Sequence, residues 1–98
     1  MSIVKQYLKT KPACKVTFTV PAKEAKQVMV AGDFNDWNPK EYQLRKLKNG
    51  TFKGTLTLPK EQSFEFKYII DGQWTNETEA DRLQWNDYAA SENSVLEL

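Results

Sequence analysis

Residues 14–20 read Cys14-Lys15-Val16-Thr17-Phe18-Thr19-Val20, and in this run apolar side chains alternate with polar ones. Because successive side chains of a β-strand point to opposite faces, this alternation is typical of a strand with one face buried and the other in water. Pro21 follows directly and ends the run, since proline has no N–H to give to a strand ladder. These residues therefore predict a half-buried strand.

The same period of two returns further along the chain. Residues 51–58 and residues 64–70 each carry large apolar side chains at alternate positions. Residues 27–31 form a short apolar run that Gly32 stops, and residues 95–98 have the composition of a closing strand. Each of these runs has the length and pattern of a strand rather than of a helix.

Tight turns separate several of these runs. Asn49-Gly50 and Asp71-Gly72 each stand between two alternating segments. Such pairs are strong hairpin signals because both residue types tolerate positive φ. Short strands joined by turn signals, without a convincing amphipathic helix, predict an all-β fold and favour a β-sandwich.

Two segments lack this clear pattern. Residues 1–11 have a weak helical spacing and stay ambiguous, so we treat them as an N-terminal extension. Residues 76–93 are polar and have no clear period, and we interpret them as an ordered, functional loop because they include Leu83, Trp85 and Tyr88. We find no domain boundary and no internal repeat, so residues 1–98 are predicted to form a single domain with one core.

The composition narrows the choice of partner and compartment. Lys and Arg number 14 against 13 Asp and Glu, so a net charge of +1 gives no basic footprint for nucleic acid. Cys14 is the single cysteine, which fits a reducing compartment. No apolar run has the length of a signal peptide or of the roughly 20 residues that span a bilayer. We expect a soluble, cytoplasmic monomer that binds a neutral polymer and no membrane.

Catalysis is disfavoured by the residue types that are missing. The chain has no histidine and one cysteine, which removes Ser-His-Asp and Cys-His systems and the commonest metal-ligand sets. Its four glycines are scattered singly, so no phosphate-binding loop is present. Paired carboxylates remain chemically open, but they need a cleft that so short a chain has little scaffold to build. We predict no enzyme activity, no cofactor and no metal.

Aromatic side chains in turn-rich segments are the candidate binding groups. The chain has three tryptophans, and Trp37 and Trp74 lie close to turns. A sugar ring has an apolar C–H face and a belt of hydroxyls, so a flat aromatic platform with a few donors suits it. Lys67, Asn93 and Gln73 are candidate donors. By composition alone, core packing for the tryptophans and a solvated strand face for Lys67 stay open alternatives.

Two motifs add a family resemblance. Val30-Ala31-Gly32-Asp33-Phe34-Asn35-Asp36-Trp37 and Phe66-Lys67-Tyr68-Ile69-Ile70-Asp71-Gly72-Gln73-Trp74 resemble the glycogen-binding module of the AMP-activated protein kinase β subunit. They also resemble the early set domain of isoamylases and glycogen branching enzymes, carbohydrate-binding module family 48. The closing Asn93-Ser94-Val95-Leu96 is similar to the last strand of that family. The resemblance covers roughly residues 14–98 and implies an immunoglobulin-like (early set) β-sandwich.

The resemblance also implies a ligand and its contacts. In binding members, two tryptophans stack on glucose units of an α-1,4-glucan such as glycogen, starch or a maltooligosaccharide, while a lysine and an asparagine bond hydroxyls. By motif position these residues are Trp37, Trp74, Lys67 and Asn93. Kinase modules carry a further leucine that pushes into the curved glucan. The matching region here is Tyr88-Ala89-Ala90, and Tyr88 is the candidate replacement.

Two other functions stay open. The first is a structural or protein-interaction module that supports or recruits a separate glycogen-metabolising enzyme without binding sugar, since in several isoamylase-type enzymes the equivalent domain mainly supports its neighbour. The second, much less favoured, is a very small glycosidase. Direct binding of glucan distinguishes the predicted module from the first, and release of reducing sugar would indicate the second.

Overall fold

Two antiparallel sheets make up the fold. A computed structural model describes residues 1–98. It contains β1 (Ser2–Tyr7), β2 (Ala13–Pro21), β3 (Val28–Gly32), β4 (Tyr42–Gln43), β5 (Arg45–Lys46), β6 (Thr51–Pro59), β7 (Ser63–Ile70), β8 (Gln73–Thr75), β9 (Arg82–Asn86) and β10 (Ser91–Glu97), with a 3₁₀ turn at Asp33–Asn35. The first sheet has the order β1-β2-β6-β5, and the second has the order β4-β3-β7-β10-β9, with β8 also paired to β7. The predicted all-β sandwich is confirmed. The structure contains no helix that is long and apolar enough to cross a membrane.

The core lies between the sheets and is built from the alternating residues. Phe18 of β2 is fully buried, and its ring centroid lies 5.5 Å from that of Phe66 and 6.1 Å from that of Tyr68, both on β7. These edge-to-face contacts add to the free energy gained by burying the rings. Phe34, in the 3₁₀ turn, packs on Phe18 from the side. The alternation in β2 and β7 therefore matches the buried face of each sheet.

Both predicted hairpins are present, but they use different turns. Asp71 and Gly72 have φ values of 48° and 85°, as a two-residue hairpin turn requires. The Asp71 carboxylate also accepts hydrogen bonds from the backbone N–H groups of Lys26 and Gln27. In the other hairpin Gly50 alone has a positive φ, of 86°, and its N–H donates to the carbonyl of Leu47. That connection is a four-residue turn closed by a left-handed glycine.

Residues 1–11 contain a strand, so the helical alternative for them is wrong. β1 pairs with β2 along its whole length, from Ser2 opposite Thr19 to Tyr7 opposite Cys14. The backbone hydrogen bonds to β2 outweigh a weak helical spacing, and Ile3 packs against the core. β1 is therefore the edge strand of the first sheet.

Residues 76–93 are more regular than a loop, which is a second correction. β9 lies within them and pairs with β10, which itself starts at Ser91. The sequence gives no strand signal here because Leu83 and Trp85 of β9 are about half exposed. An edge strand without a buried face has no contrast between apolar and polar positions.

The segment between β8 and β9 is fixed by a buried polar network. Glu77 is buried and accepts a hydrogen bond of 2.8 Å from the Tyr68 hydroxyl. The backbone N–H of Glu77 donates to the Ser94 hydroxyl over 2.8 Å. Burial, followed by the neighbouring Glu77 carboxylate, raises the pKa of the Tyr68 hydroxyl well above its ordinary value. Tyr68 therefore stays protonated at neutral pH and donates to Glu77.

Gly32 lies at the end of β3, opposite Phe66 of β7. A Cβ at this position would lie 2.4 Å from the carbonyl oxygen of Glu65 and 2.7 Å from the Cβ of Phe66. At Gly54 of β6, an added Cβ would instead approach the end of the Leu44 side chain, at 2.5 Å. A side-chain end can move away, whereas a paired backbone cannot.

We expect Gly32→Ala to lower the free energy of unfolding by roughly 1–3 kcal/mol, because the added methyl group forces β3 away from β7. Gly54→Ala is the matched control and should cost less, since Leu44 can change its rotamer. Urea denaturation of both variants measures the difference. Equal stability of Gly32→Ala and the wild type would contradict the close approach.

An ion pair joins β1 to the second sheet and makes stability depend on pH. Lys5 Nζ lies 2.7 Å from Asp81 Oδ2, and the Glu97 N–H donates to the same oxygen over 2.7 Å. Partial burial raises the pKa of Asp81, but the Glu97 N–H and the Lys5 ammonium outweigh it and hold that pKa below its ordinary value. A lowered carboxyl pKa adds stability above the ordinary pKa, and this stability is lost as the pH falls through the lowered value.

Asp81→Asn is therefore expected to destabilise the protein by about 0.5–1 kcal/mol at neutral pH, since the pair is partly exposed. The difference from the wild type should shrink as the pH falls through the lowered pKa of Asp81, because the carboxyl then becomes protonated. Denaturation curves measured at neutral pH and at a series of acid pH values test this. Arg82→Gln, which removes the more exposed pair with Glu97, is the control and should have a smaller effect. A difference that persists unchanged in acid would contradict this account.

Candidate functional site

An open groove of about 540 Å³ lies on the outer face of the second sheet. Lys67 belongs to this face because its neighbours on β7, Phe66 and Tyr68, both point into the core. The residues that line the groove are Trp37, Lys67, Trp74, Asn86, Tyr88, Ala89, Ser91 and Asn93. The structure thus brings together all of the predicted site residues except Gln73.

Two indole rings form the apolar floor of the groove. Trp74 of β8 lies opposite Ile69 of β7, which places its side chain on the outer face, and it is 49% exposed. The ring centroids of Trp37 and Trp74 are 6.4 Å apart, and their planes are inclined by 35°. The two rings therefore form one bent aromatic surface, and large apolar surface left open to water is typical of a binding site.

The turn after β3 places Trp37. Trp37 and Asp36 have φ values of 57° and 53°, a backbone region that large side chains rarely adopt. The buried Asn35 stabilises this turn: its Oδ1 accepts from the Gly32 N–H over 2.9 Å, and its Nδ2 donates to the Val30 carbonyl over 3.2 Å. The Trp37 N–H donates to the Gly32 carbonyl over 2.9 Å. Strain of this kind persists where the surroundings hold it, and it is common at functional sites.

Beneath Trp37 the sheet offers a small apolar contact surface. The indole packs against a cluster on the outer face formed by Met29, Ala31 and Ile69. Because the ring covers these side chains on one side, its other side remains available to a ligand.

Lys67 and Asn93 supply polar groups beside the indoles. Lys67 Nζ donates to the Ser91 hydroxyl over 3.2 Å. Asn93 is only 4% exposed, and its Nδ2 donates to Glu65 Oε1 over 3.1 Å. An ammonium group has three donors and a side-chain amide has two, so both residues keep donor capacity for a further acceptor.

Tyr88 stands at the rim of the groove in the turn between β9 and β10. Its side chain is fully exposed and packs on nothing. The turn itself is ordered, because the N–H groups of Tyr88 and Ala89 donate to Asn86 Oδ1 at 3.0 and 3.3 Å, and Ala90 closes it with a φ of 51°. The ring is thus held near the groove on a fixed backbone, with its own rotation free.

Gln73 does not lie in the groove, which corrects the prediction for this residue. It pairs with Ile70, whose side chain packs on the core side, so it points away from the face that carries Trp74. It borders a separate depression beside residues 21–25. Gln73 and Trp74 are neighbours in β8, and neighbouring side chains of a strand point to opposite faces of the sheet. A position next to Trp74 in the sequence therefore does not place Gln73 in the groove.

The sequence did not predict two polar residues that line the groove. Asn86 and Ser91 lie opposite each other where β9 meets β10. Their place in the site depends on β9, which the sequence did not reveal, so no local signal identified them. The third tryptophan, Trp85, lies on the other face of β9 and donates its indole N–H to Asp87 over 2.7 Å.

The arrangement suits an uncharged, hydroxyl-rich ligand. The bent aromatic floor offers contact to apolar C–H faces, while Lys67, Asn93, Asn86 and Ser91 offer donors and acceptors around it. None of the residues that line the groove is an acid. The chain has no group of three or more Cys, Asp or Glu side chains placed to hold a metal ion.

The geometry of the indole pair predicts a spectroscopic signal. Two indoles at 6.4 Å and inclined by 35° should couple and give an exciton couplet in far-ultraviolet circular dichroism. We expect Trp74→Phe to abolish the couplet and Trp85→Phe, the matched control, to leave it in place. A couplet that survives Trp74→Phe would show that Trp37 and Trp74 are not paired in solution.

Comparison with known proteins gives two findings. The sequence profile of the family described as the glycogen recognition site of AMP-activated protein kinase matches residues 14–97, from β2 to the end of β10. A 1,4-alpha-glucan branching enzyme GlgB from Bacillus cytotoxicus is 36% identical over 56 residues, which is 57% of this chain and 9% of that enzyme. The chain therefore corresponds to a small part of that enzyme. Both findings confirm the resemblance seen in the two motifs.

Proposed function

We propose that this chain, which belongs to the family of the glycogen recognition site of AMP-activated protein kinase, binds α-1,4-linked glucan in the groove and catalyses no reaction. Recognition of glycogen is the property by which the family is described. The observation that carries the finer proposal is the inclined pair of Trp37 and Trp74 beside Lys67 and Asn93.

The shape of the aromatic floor favours a curved chain. α-1,4 linkages turn each glucose unit relative to the one before it, so the polymer coils. β-1,4 linkages give a flat, extended chain, whose receptor needs coplanar platforms. Two rings inclined by 35° with centroids 6.4 Å apart form a bent rather than a flat surface, which suits two successive units of a coiled glucan.

The polar groups add orientation to this stacking. In the proposed complex Lys67 and Asn93 donate to glucose hydroxyls and fix the position of the chain along the groove. Each stacked ring contributes about 1 kcal/mol beyond burial, and each hydrogen bond about 1 kcal/mol net. After the cost of association, we expect a Kd between about 1 mM and about 1 µM.

The groove also favours binding over catalysis. Glycosidases place two carboxyl groups on either side of the scissile bond, and no acid lines this groove. A role as a structural or interaction module without affinity for sugar is the second candidate. The relative named as a branching enzyme favours it, because there the matched region is 9% of a longer enzyme. The uncovered aromatic floor favours sugar binding, since a purely structural module gains nothing from exposed indoles.

The setting of the module belongs to the proposal as well. We propose one domain over residues 1–98, monomeric and cytoplasmic, that brings a separate glucan-active enzyme to its polymer. The nearly balanced charges give no attraction to nucleic acid or to an anionic membrane.

Calorimetric titration with maltoheptaose tests the proposal. We expect saturable binding by the wild type and a loss of at least about tenfold in affinity for Trp74→Ala, since a platform is removed. Trp85→Ala is the matched control, an equally exposed tryptophan outside the groove, and should bind like the wild type.

Cellohexaose, a β-1,4-linked chain of similar length, serves as the ligand control and should give no heat. No binding of maltoheptaose by the wild type at millimolar concentration would overturn the proposal and favour the interaction module. Equal losses in Trp74→Ala and Trp85→Ala would place the binding site outside the groove.

A further inference from the structure

Asp33 lies outside the groove but touches two residues that shape it. It is the first residue of the 3₁₀ turn, and its side chain is exposed. Its Oδ1 accepts a hydrogen bond of 3.0 Å from the indole N–H of Trp37. Its Oδ2 accepts one of 2.8 Å from the backbone N–H of Glu65 on β7. One carboxylate thus ties the first platform to the central strand of the second sheet.

This bond constrains the ring in a way that the backbone cannot. The left-handed φ of Trp37 fixes the direction in which its Cα–Cβ bond points. Rotation about the side-chain bonds would still change the tilt of the ring. The hydrogen bond to Asp33 holds the ring in its observed rotation, in addition to the packing against Met29, Ala31 and Ile69. The angle of 35° to Trp74 is a property of that rotation.

The same carboxylate belongs to a longer chain of contacts. The backbone N–H of Glu65 donates to Asp33. The side-chain Oε1 of the same Glu65 accepts a hydrogen bond of 3.1 Å from Asn93 Nδ2. Trp37, Asp33, Glu65 and Asn93 are therefore joined in series, from the aromatic floor to the polar side of the groove.

We propose that Asp33 is a positioning residue for carbohydrate binding, which sets the tilt of Trp37 against Trp74 without touching the ligand. This inference rests on the proposed function of the groove. A side chain with two acceptor oxygens is required because both oxygens of Asp33 accept a hydrogen bond. An asparagine offers one acceptor, and its NH₂ group would face a donor N–H.

Asp33→Asn is the test, with Asp36→Asn as its matched control. Asp36 lies in the same turn, is exposed, and takes no part in the chain of hydrogen bonds. The control makes the same change in charge, and asparagine tolerates the left-handed φ of position 36. Each variant is titrated with maltoheptaose and compared in thermal unfolding and in the exciton couplet of the indole pair.

We expect Asp33→Asn to weaken binding about tenfold and to change the couplet, and Asp36→Asn to do neither. In a Trp37→Phe background, where no indole N–H is present to donate, Asp33→Asn should cost about twofold or less. An equal loss in both backgrounds, or an unchanged couplet and affinity in Asp33→Asn, would overturn the role of Asp33. A fall in melting temperature with unchanged affinity of the folded protein would make Asp33 merely structural.

Two further outcomes stay distinguishable. If the wild type binds no maltoheptaose, the proposed function fails, and the couplet alone decides the positioning role: a change in Asp33→Asn but not in Asp36→Asn supports it, and no change overturns it. If Asp33→Asn does not fold, Asp33→Glu takes its place. Its carboxylate keeps the charge but moves both oxygens by one methylene, so the same loss of affinity and the same altered couplet are expected, and wild-type behaviour would overturn the proposal.

Discussion

At Gly32 the backbone of β3 runs so close to β7 that no side chain fits between them, and much of the molecule depends on this contact. Gly32 lies opposite Phe66 in the pairing of β3 with β7, at the point where the chain leaves β3. Asn35 then closes the turn by satisfying the Gly32 N–H. From this fixed point, Phe34 enters the core and Trp37 comes to lie on the outer face. A single turn thus serves the packing of the sandwich and the shape of the groove.

The second sheet carries the core on one face and the groove on the other. Lys67 lies between Phe66 and Tyr68, and Asn93 precedes Ser94, which belongs to the buried polar network. Because alternate residues of a strand serve opposite faces, the packing that fixes the inner side chains also fixes the spacing of the outer ones. The packing of the inner face consequently also holds the residues of the groove in place.

The polar groups of the groove are held by hydrogen bonds within the protein. Lys67 donates to Ser91 and Asn93 donates to Glu65, and each residue keeps a further donor. Tyr88 is different, because its ring has no packing partner and its backbone alone is fixed. The groove thus combines two indoles and two donors that contact neighbouring residues with one aromatic side chain, Tyr88, that contacts none.

By itself the sequence determined the sandwich, both hairpins and most of the groove. Strands such as residues 14–20 and 64–70 have one face buried and the other exposed to water. Their apolar and polar residues therefore alternate in the sequence. The two sequence motifs predicted Trp37, Trp74, Lys67 and Asn93 as residues of the groove. β1 and β9 are edge strands with little burial contrast, so only pairing with their neighbours reveals them. The exclusion of Gln73 from the groove and the positions of Asn86, Ser91 and Asp33 likewise came from the tertiary structure. Register and contacts between distant strands decide which side chains meet, and a local sequence pattern does not record them.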